Sequence, residues 1–245
     1  MADGEGAAKP LPTGASDLPV RLASAVVMVL IAGTALWIGG IVWTVLVLVV
    51  AALALWEWNR LVHATDASPL GEVLWMFFGA AYVCGAGLAM VQVRANFDAV
   101  AVALIYILPV IAVDVGAYFA GRAIGGPKIA PTLSPSKTWA GLGGGALAAG
   151  LVAVVLLLAE FRPDILGSST LVTMALAIGM GVVIAVVAQA GDFFESWMKR
   201  RAGVKDSSNL IPGHGGVFDR IDGFLAVFFL IFCVIVVPGL MGVGS

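Results

Sequence analysis

The chain has 245 residues, of which 61 % are hydrophobic and only 11 % are charged, and its formal net charge at pH 7 is −2. Soluble domains contain about 25 % charged residues, so a chain this apolar is expected to have lipid as its solvent. The absence of a basic stripe excludes nucleic acid as a partner. Two cysteines, Cys84 and Cys233, lie inside apolar runs and are too few for a disulfide framework.

Residues 1–19 form a tail rich in Gly, Ala, Pro and Asp. This composition is typical of a disordered segment. A cleavable signal peptide is not expected, because the polar lead carries charges of both signs and no cleavage site separates the first apolar run from the second.

Seven mostly apolar runs have the length, about 18 residues or more, that an α-helix needs to cross a bilayer. They predict an all-α, polytopic membrane helix bundle. The alternative count is eight or nine helices, since the fourth run contains Pro109 and could be broken there. The predicted spans are residues 20–38, 41–58, 73–92, 98–120, 139–159, 169–190 and 220–241. We group them as N-terminal transmembrane helices, 20–97, and a C-terminal transmembrane region, 98–245, which contains the polar segments described below.

The lysines and arginines predict the orientation. If the tail is cytoplasmic, 11 of the 13 fall on the cytoplasmic side and only Arg94 and Arg162 fall outside. This bias predicts that the polar segments described below face the cytoplasm. His63, which follows Glu57 near the cytoplasmic end of the second span, is interpreted as a structural residue at the interface. Glycines and alanines in spans five and six predict close helix packing.

A first polar segment covers residues 114–141. Asp114 lies within the fourth span, where an acid is costly enough to suggest a functional role; the alternative is a buried acid paired with Arg122 or Tyr118. Glycines and prolines then interrupt any regular helix. Hydroxyls and a lysine follow just before span five, a position that favours an anion such as phosphate, or alternatively a helix cap beside a snorkelling lysine. These residues are Ser134, Ser136, Lys137 and Thr138.

A second polar segment, residues 191–223, concentrates charge. If span six continues as a helix past Ala190, its acids recur on one face and favour either a divalent cation or an ion pair with Lys199. Two further acids lie one turn apart at the start of span seven, where either a capping role or a hard cation is expected. The charged residues are Asp192, Glu195, Asp206, Asp219, Asp222, Lys199, Arg200, Arg201, Lys205 and Arg220.

The run S-x-x-K-R-x-x-x-x-K-D-x-x-x-x-x-P-G-H-G-G-x-x-D-R-x-D, Ser196 to Asp222, resembles the signature of the phosphatidate cytidylyltransferases. The G-D-x-x-E-S, D-x-x-A-Y-x-x-G-R and S-P-S-K-T-W blocks, from Gly191, Asp114 and Ser134, are similar to that family's other blocks. Ala140 departs from the pattern, because many members carry an acid there. Residues 1–97 match only in being hydrophobic.

The resemblance implies transfer of the cytidylyl group of CTP to phosphatidate, with Mg²⁺ required and the number of cations left open. It also implies an enzyme of the plasma (inner) membrane with a cytoplasmic site and contact with membrane lipid. A homodimer is compatible with the resemblance. The residues carried over as catalytic are Asp192, Asp219, Asp222 and Lys205, and the same three aspartates are the predicted metal ligands. The predicted substrate-binding residues are Asp114, Ser134, Lys137, Thr138, Ser196, Lys199, Arg200, His214 and Arg220.

Two other functions are compatible with parts of this pattern. A secondary transporter would explain several spans and an intramembrane acid, but it predicts repeated halves, and the sequence has no internal repeat. A CTP-dependent lipid kinase would use the same polar residues and pass on the γ-phosphate instead.

Overall fold

The computed structural model describes residues 17–65, 67–95, 100–160 and 170–241. The predicted disordered tail therefore lies outside the described residues except for its last three positions, which already belong to the first helix. Arg162, one of the two cations predicted on the side of the membrane opposite the cytoplasm, also lies outside the described residues.

The described chain is almost entirely helical, and seven of its helices are long and apolar enough to span a membrane. The protein is therefore an integral membrane protein. Its last span contains a π-helical turn, Phe232–Val236, which leads into Pro238, a residue that cannot donate a helical hydrogen bond. The helices are α1 (Asp17–Ile38), α2 (Gly40–His63), α3 (Pro69–Ala95), α4 (Val100–Ala123), α5 (Trp139–Glu160), α6 (Thr170–Arg201), α7 (Phe218–Ile231) and α8 (Val237–Leu240).

The predicted spans agree with these helices, with two informative differences. Helix α4 continues through Pro109 without a break, so the described chain has seven spans and not eight or nine. Helix α6 continues to Arg201, well beyond the predicted end at 190. Span six therefore continues as a helix past Ala190, which is what the predicted acidic face on this helix requires.

The segment between α4 and α5 forms a small antiparallel hairpin that the glycines and prolines did not predict. Strand β1 (Lys128–Ala130) pairs with β2 (Ser134–Thr138), with Lys128 opposite Thr138 and Ala130 opposite Ser134. The register shifts between these pairs, at the place where Pro135 cannot donate to the ladder. The hairpin directs Lys137 and Thr138 to the start of α5.

Helices α4, α5 and α6 pack through small residues, as predicted. A methyl group added at Gly116 would lie 2.6 Å from the Gly144 carbonyl oxygen, and one at Gly181 would lie 3.0 Å from that of Ala146. Gly143 and Gly179, which share the same glycine-rich stretches, have open space at the corresponding position. Only part of the glycine pattern therefore serves close backbone approach.

An aromatic cluster joins the N-terminal helices to the C-terminal ones. Trp58 of α2 is fully buried, and its ring centroid lies 5.8 Å from that of Phe194 in α6 and 5.7 Å from that of Phe218 in α7. Its indole N–H donates to the Trp75 carbonyl of α3 at 3.0 Å. Four helices thus meet around one side chain, and the polar ends of α2, α6 and α7 are held side by side.

Replacing Gly181 by alanine tests the small-residue packing. Because the added methyl group would press on the backbone of α5, we expect a loss of about 1–3 kcal/mol in unfolding free energy, the usual cost of overpacking. Gly179→Ala is the matched control, since its methyl group meets open space, and we expect less than about 0.5 kcal/mol. Unfolding in mixed micelles measures both, and equal effects would refute the packing argument.

Candidate active site

Two carboxylates meet where α6 crosses α7. The backbone of α7 approaches Gly191 so closely that an added methyl group would lie 2.7 Å from the Asp222 carbonyl oxygen. A larger residue at 191 would push the helices apart. This close approach places the side chain of Asp192 beside that of Asp222. The two acids come from different helices but form one pair.

A lysine from the β-hairpin completes this group. Lys137 Nζ contacts an Asp192 carboxylate oxygen as an ion pair, and both side chains are about one quarter exposed. Asp114 of α4 interacts electrostatically with Lys137, Asp192 and Arg220. Its predicted alternative partners bond to each other instead, since Arg122 donates to the Tyr118 hydroxyl at 3.3 Å. Residues from α4, the hairpin, α6 and α7 therefore converge.

A second ionic group lies deeper. Lys199 Nζ lies 2.7 Å from Glu195 Oε1, one turn earlier on α6, and 2.8 Å from Asp219 Oδ1 on α7. Both acids have only 2 % of their side-chain surface exposed. Two buried acids would repel each other, so the shared lysine is what allows them to be neighbours. The ion pair predicted for Lys199 thus forms with Glu195 and Asp219, whereas Asp192 pairs with Lys137.

Asp219 also organises the α6–α7 loop, residues 202–217. Its Oδ2 accepts the Gly216 N–H at 2.7 Å and the Ser207 hydroxyl at 3.0 Å, and the Ser207 N–H at 3.0 Å. Gly215 has φ +86°, and a side chain there would collide with the Asp219 carboxylate. Asp219 therefore binds loop residues that precede α7, and the structure records no side-chain capping bond from the N-cap residue of this helix, Val217.

Glu57 is the residue that the sequence analysis left without a role in the site. It belongs to α2, is fully buried, and accepts hydrogen bonds from the same loop and from the start of α7. The available signal was an acid inside a predicted span, the criterion that singled out Asp114.

His214 contacts the first helix rather than the acids. Its Nδ1 is 2.8 Å from the Ser24 hydroxyl, which also donates to the Pro212 carbonyl at 3.1 Å. A methyl group at Gly213 would press on the Arg21 side chain. This turn therefore docks on α1, and the substrate-binding role of His214 stays a prediction. His63 pairs with Glu72 at 3.5 Å, in keeping with its structural interpretation.

The other predicted residues surround these two groups in different ways. Thr138 is buried, and its hydroxyl accepts the Gly141 N–H at 3.0 Å, which makes it the cap of α5. Ser134 is half-buried in the hairpin, and Ser196 is half-buried on α6. The remaining three cations are exposed around the site: Arg200, Lys205 and Arg220.

The pair Asp192 and Asp222 fits a hard cation better than Asp219 does. Among the described residues, no three His, Cys, Asp or Glu side chains are grouped to hold a metal ion. Mg²⁺ in phosphate-transfer sites needs only one or two carboxylates plus water and substrate. The partly exposed pair Asp192 and Asp222 meets this requirement, whereas the oxygens of Asp219 already accept several protein donors. The ligand assignment to all three aspartates stays a prediction.

Comparison with known proteins agrees with this geometry. Residues 66–237 match the model of the cytidylyltransferase family. A phosphatidate cytidylyltransferase of Brucella suis is 33 % identical over 259 residues, covering 89 % of this chain and 93 % of the relative. That of Rickettsia bellii is 31 % identical over 212 residues, with 86 % and 87 % covered, and that of Haemophilus influenzae is 43 % identical over 124 residues, with 50 % and 42 % covered. The chain belongs to the cytidylyltransferase family and is a nucleotidyltransferase.

Proposed function

We propose that the protein transfers the cytidylyl group of CTP to phosphatidate, releasing pyrophosphate and forming CDP-diacylglycerol. The observation that carries the proposal is the meeting of Asp192, Asp222 and Lys137 at the shared end of α6, α7 and the hairpin, with exposed cations around it. The relatives are phosphatidate cytidylyltransferases, a name that specifies phosphatidate as their substrate.

The reaction joins two anions. A phosphatidate oxygen attacks the α-phosphorus of CTP, the new P–O bond forms, and the bond to the β-phosphate oxygen breaks with its electrons leaving on pyrophosphate. A phosphate monoester is mostly ionised at pH 7, since its second pKa is about 6, so the attacking oxygen needs no protein base. The protein's task is to hold the two phosphates in line and to offset their repulsion.

The residues of this chain divide that task. We assign the contact with phosphate oxygens to Lys137 and Arg220, which both interact with Asp114. The exposed Lys205 and Arg200 would add positive charge at the rim. Lys199 is committed to its two buried acids, so we assign it to holding α7 against α6. Asp192 and Asp222 would hold Mg²⁺, which when bound neutralises charge on the triphosphate and on the leaving pyrophosphate. A second cation and a homodimer stay predictions.

We place the site on the cytoplasmic side of the plasma (inner) membrane. The support is the excess of lysine and arginine on one side of the spans, together with the position of the cations of α6 and of the α6–α7 loop at the same end of the bundle. The acyl chains of phosphatidate would remain in lipid, against the exposed apolar surfaces of the helices.

The first test supplies purified protein with phosphatidate, Mg²⁺ and CTP labelled in the cytidine. We expect label in the lipid fraction, release of pyrophosphate, and no product in the presence of a chelator. A parallel reaction uses CTP labelled in the γ-phosphate, and lipid labelled from this CTP alone would instead identify a lipid kinase. The absence of any transfer under conditions where the protein is folded would reject both enzymatic proposals.

The carboxylate pair is tested by Asp192→Asn. Losing one charge of the pair should lower kcat on the order of 10²–10³-fold, the cost of removing one charge-stabilising group, and raise the Mg²⁺ concentration needed for half-maximal rate. Asp206→Asn is the matched control, because Asp206 is exposed on the loop and should leave both quantities unchanged. Wild-type Mg²⁺ dependence in the Asp192 variant would remove this residue from the cation site.

The buried cation is tested by Lys199→Met. Without its charge, Glu195 and Asp219 would be neighbouring buried acids, so we expect a loss of about 3–5 kcal/mol in unfolding free energy. Lys205→Met should change stability by less than about 0.5 kcal/mol, because Lys205 is exposed. Thermal unfolding in detergent measures both. If the two variants unfold alike, Lys199 does not hold the acids together.

A further inference from the structure

Glu57 is a charged residue in an environment that would normally exclude one. It lies on α2, next to Trp58, and both side chains are fully buried. A buried carboxylate is costly unless hydrogen bonds compensate it. Its partners are Ser207, Ser208, Val217 and Phe218, which lie 150 or more residues later in the chain.

Each carboxylate oxygen accepts one backbone amide and one hydroxyl. Oε1 accepts the Val217 N–H at 2.9 Å and the Ser208 hydroxyl. Oε2 accepts the Phe218 N–H at 2.6 Å and lies 3.1 Å from the Ser207 hydroxyl, whose single hydrogen it shares with Asp219 Oδ2. The two amides are those of Val217, the N-cap residue, and Phe218, the first residue of α7, where a helix has unpaired N–H groups and favours a negative charge. Glu57 therefore caps α7 from another helix.

The space around the carboxylate is closed. A methyl group added at Gly216 would lie 2.5 Å from Glu57 Oε1 and 2.8 Å from its Cδ. A tilted ring contact with Phe194 and an edge-to-face contact with Phe218 fix the adjacent Trp58 against α6 and α7. The carboxylate thus holds the start of α7 from a rigid support.

The first turns of α7 carry Arg220 and Asp222, which our proposed function places at the phosphates and the cation. Ser207 extends the connection, because its hydroxyl lies 3.1 Å from Glu57 and 3.0 Å from Asp219. We infer that Glu57 is a positioning residue for the transfer reaction: it fixes the α6–α7 loop and the start of α7 so that Asp222 meets Asp192. This inference rests on the proposed function.

Glutamine is the sharpest replacement. It has the size of glutamate but only one oxygen, while the two backbone N–H groups each need an acceptor and cannot rotate away. Either orientation of the amide therefore sets an NH₂ group against a backbone N–H. Glu72→Gln is the matched control, since Glu72 is on the neighbouring helix, is one third exposed, and contacts His63 rather than the loop.

The experiment compares the full-length variants in detergent by hydrogen–deuterium exchange and by steady-state kinetics. In Glu57→Gln we expect faster exchange in peptides covering 202–222, unchanged exchange in α4 and α5, and a fall in kcat of about 10–100-fold, as for a site misplaced by about 1 Å. Glu72→Gln should match the wild type. Wild-type exchange in the loop, or a kcat within twofold of wild type, overturns the inference.

A double-mutant cycle separates positioning from general loss of stability. If Glu57 acts through the loop, adding Ser208→Ala to Glu57→Gln should lower kcat much less than Ser208→Ala does alone. Additive losses overturn the inference, as they indicate independent effects. If Glu57→Gln does not fold, Ser208→Ala alone is measured, and it should raise loop exchange and lower kcat by a smaller factor; no change in either refutes the connection. A wild-type protein that transfers no cytidylyl group rejects the proposed function, whereas the exchange data still decide whether Glu57 holds the loop.

Discussion

The structure depends on how a very apolar bundle accommodates carboxylates that are removed from water. Each of the deepest acids is matched by donors: Asp219 of α7 and Glu195 of α6 share Lys199 of α6, and Glu57 of α2 accepts from the start of α7. A buried charge left without its partner costs several kcal/mol, so these matches permit few relative positions of the helices. The interactions that make the acids tolerable are the same ones that align α2, α6 and α7.

This constraint explains why the chain needs its N-terminal helices. The family match begins at residue 66, earlier than the motif blocks suggested, and the two helices before it also reach the site: α1 contacts the α6–α7 loop through Ser24, and α2 does so through Glu57. At the opposite end of α1, Arg94 of α3 donates to the Leu36 carbonyl at 2.9 Å. Polar contacts thus hold α1 at both ends, while its middle is largely exposed and available to lipid. A C-terminal catalytic region alone would lack the support of its loop.

The seven spans could be predicted from sequence because span length and hydrophobicity are local properties, and the small-residue contacts followed the same logic. The acids of residues 191–223 were also visible as a concentration of charge. Their pairing was not, because it depends on which helices cross. Lys137 reaches Asp192 only because the hairpin folds back, and His214 turns to α1 only because Gly213 and Gly215 allow left-handed backbone. Glu57 was overlooked since nothing local shows that its partners lie at α7.

The two ionic groups also differ in exposure, and this difference is consistent with different roles in the proposed reaction. The group of Asp192, Asp222 and Lys137 is partly open, so its charges can exchange protein partners for a cation and phosphates. The group of Lys199, Glu195 and Asp219 is closed, and exchanging its partners would uncover buried charge. In the proposed reaction, the closed group would hold α6 against α7, so that Asp192 and Asp222 keep their positions while the ion pair of Asp192 with Lys137 opens to a cation and to phosphates.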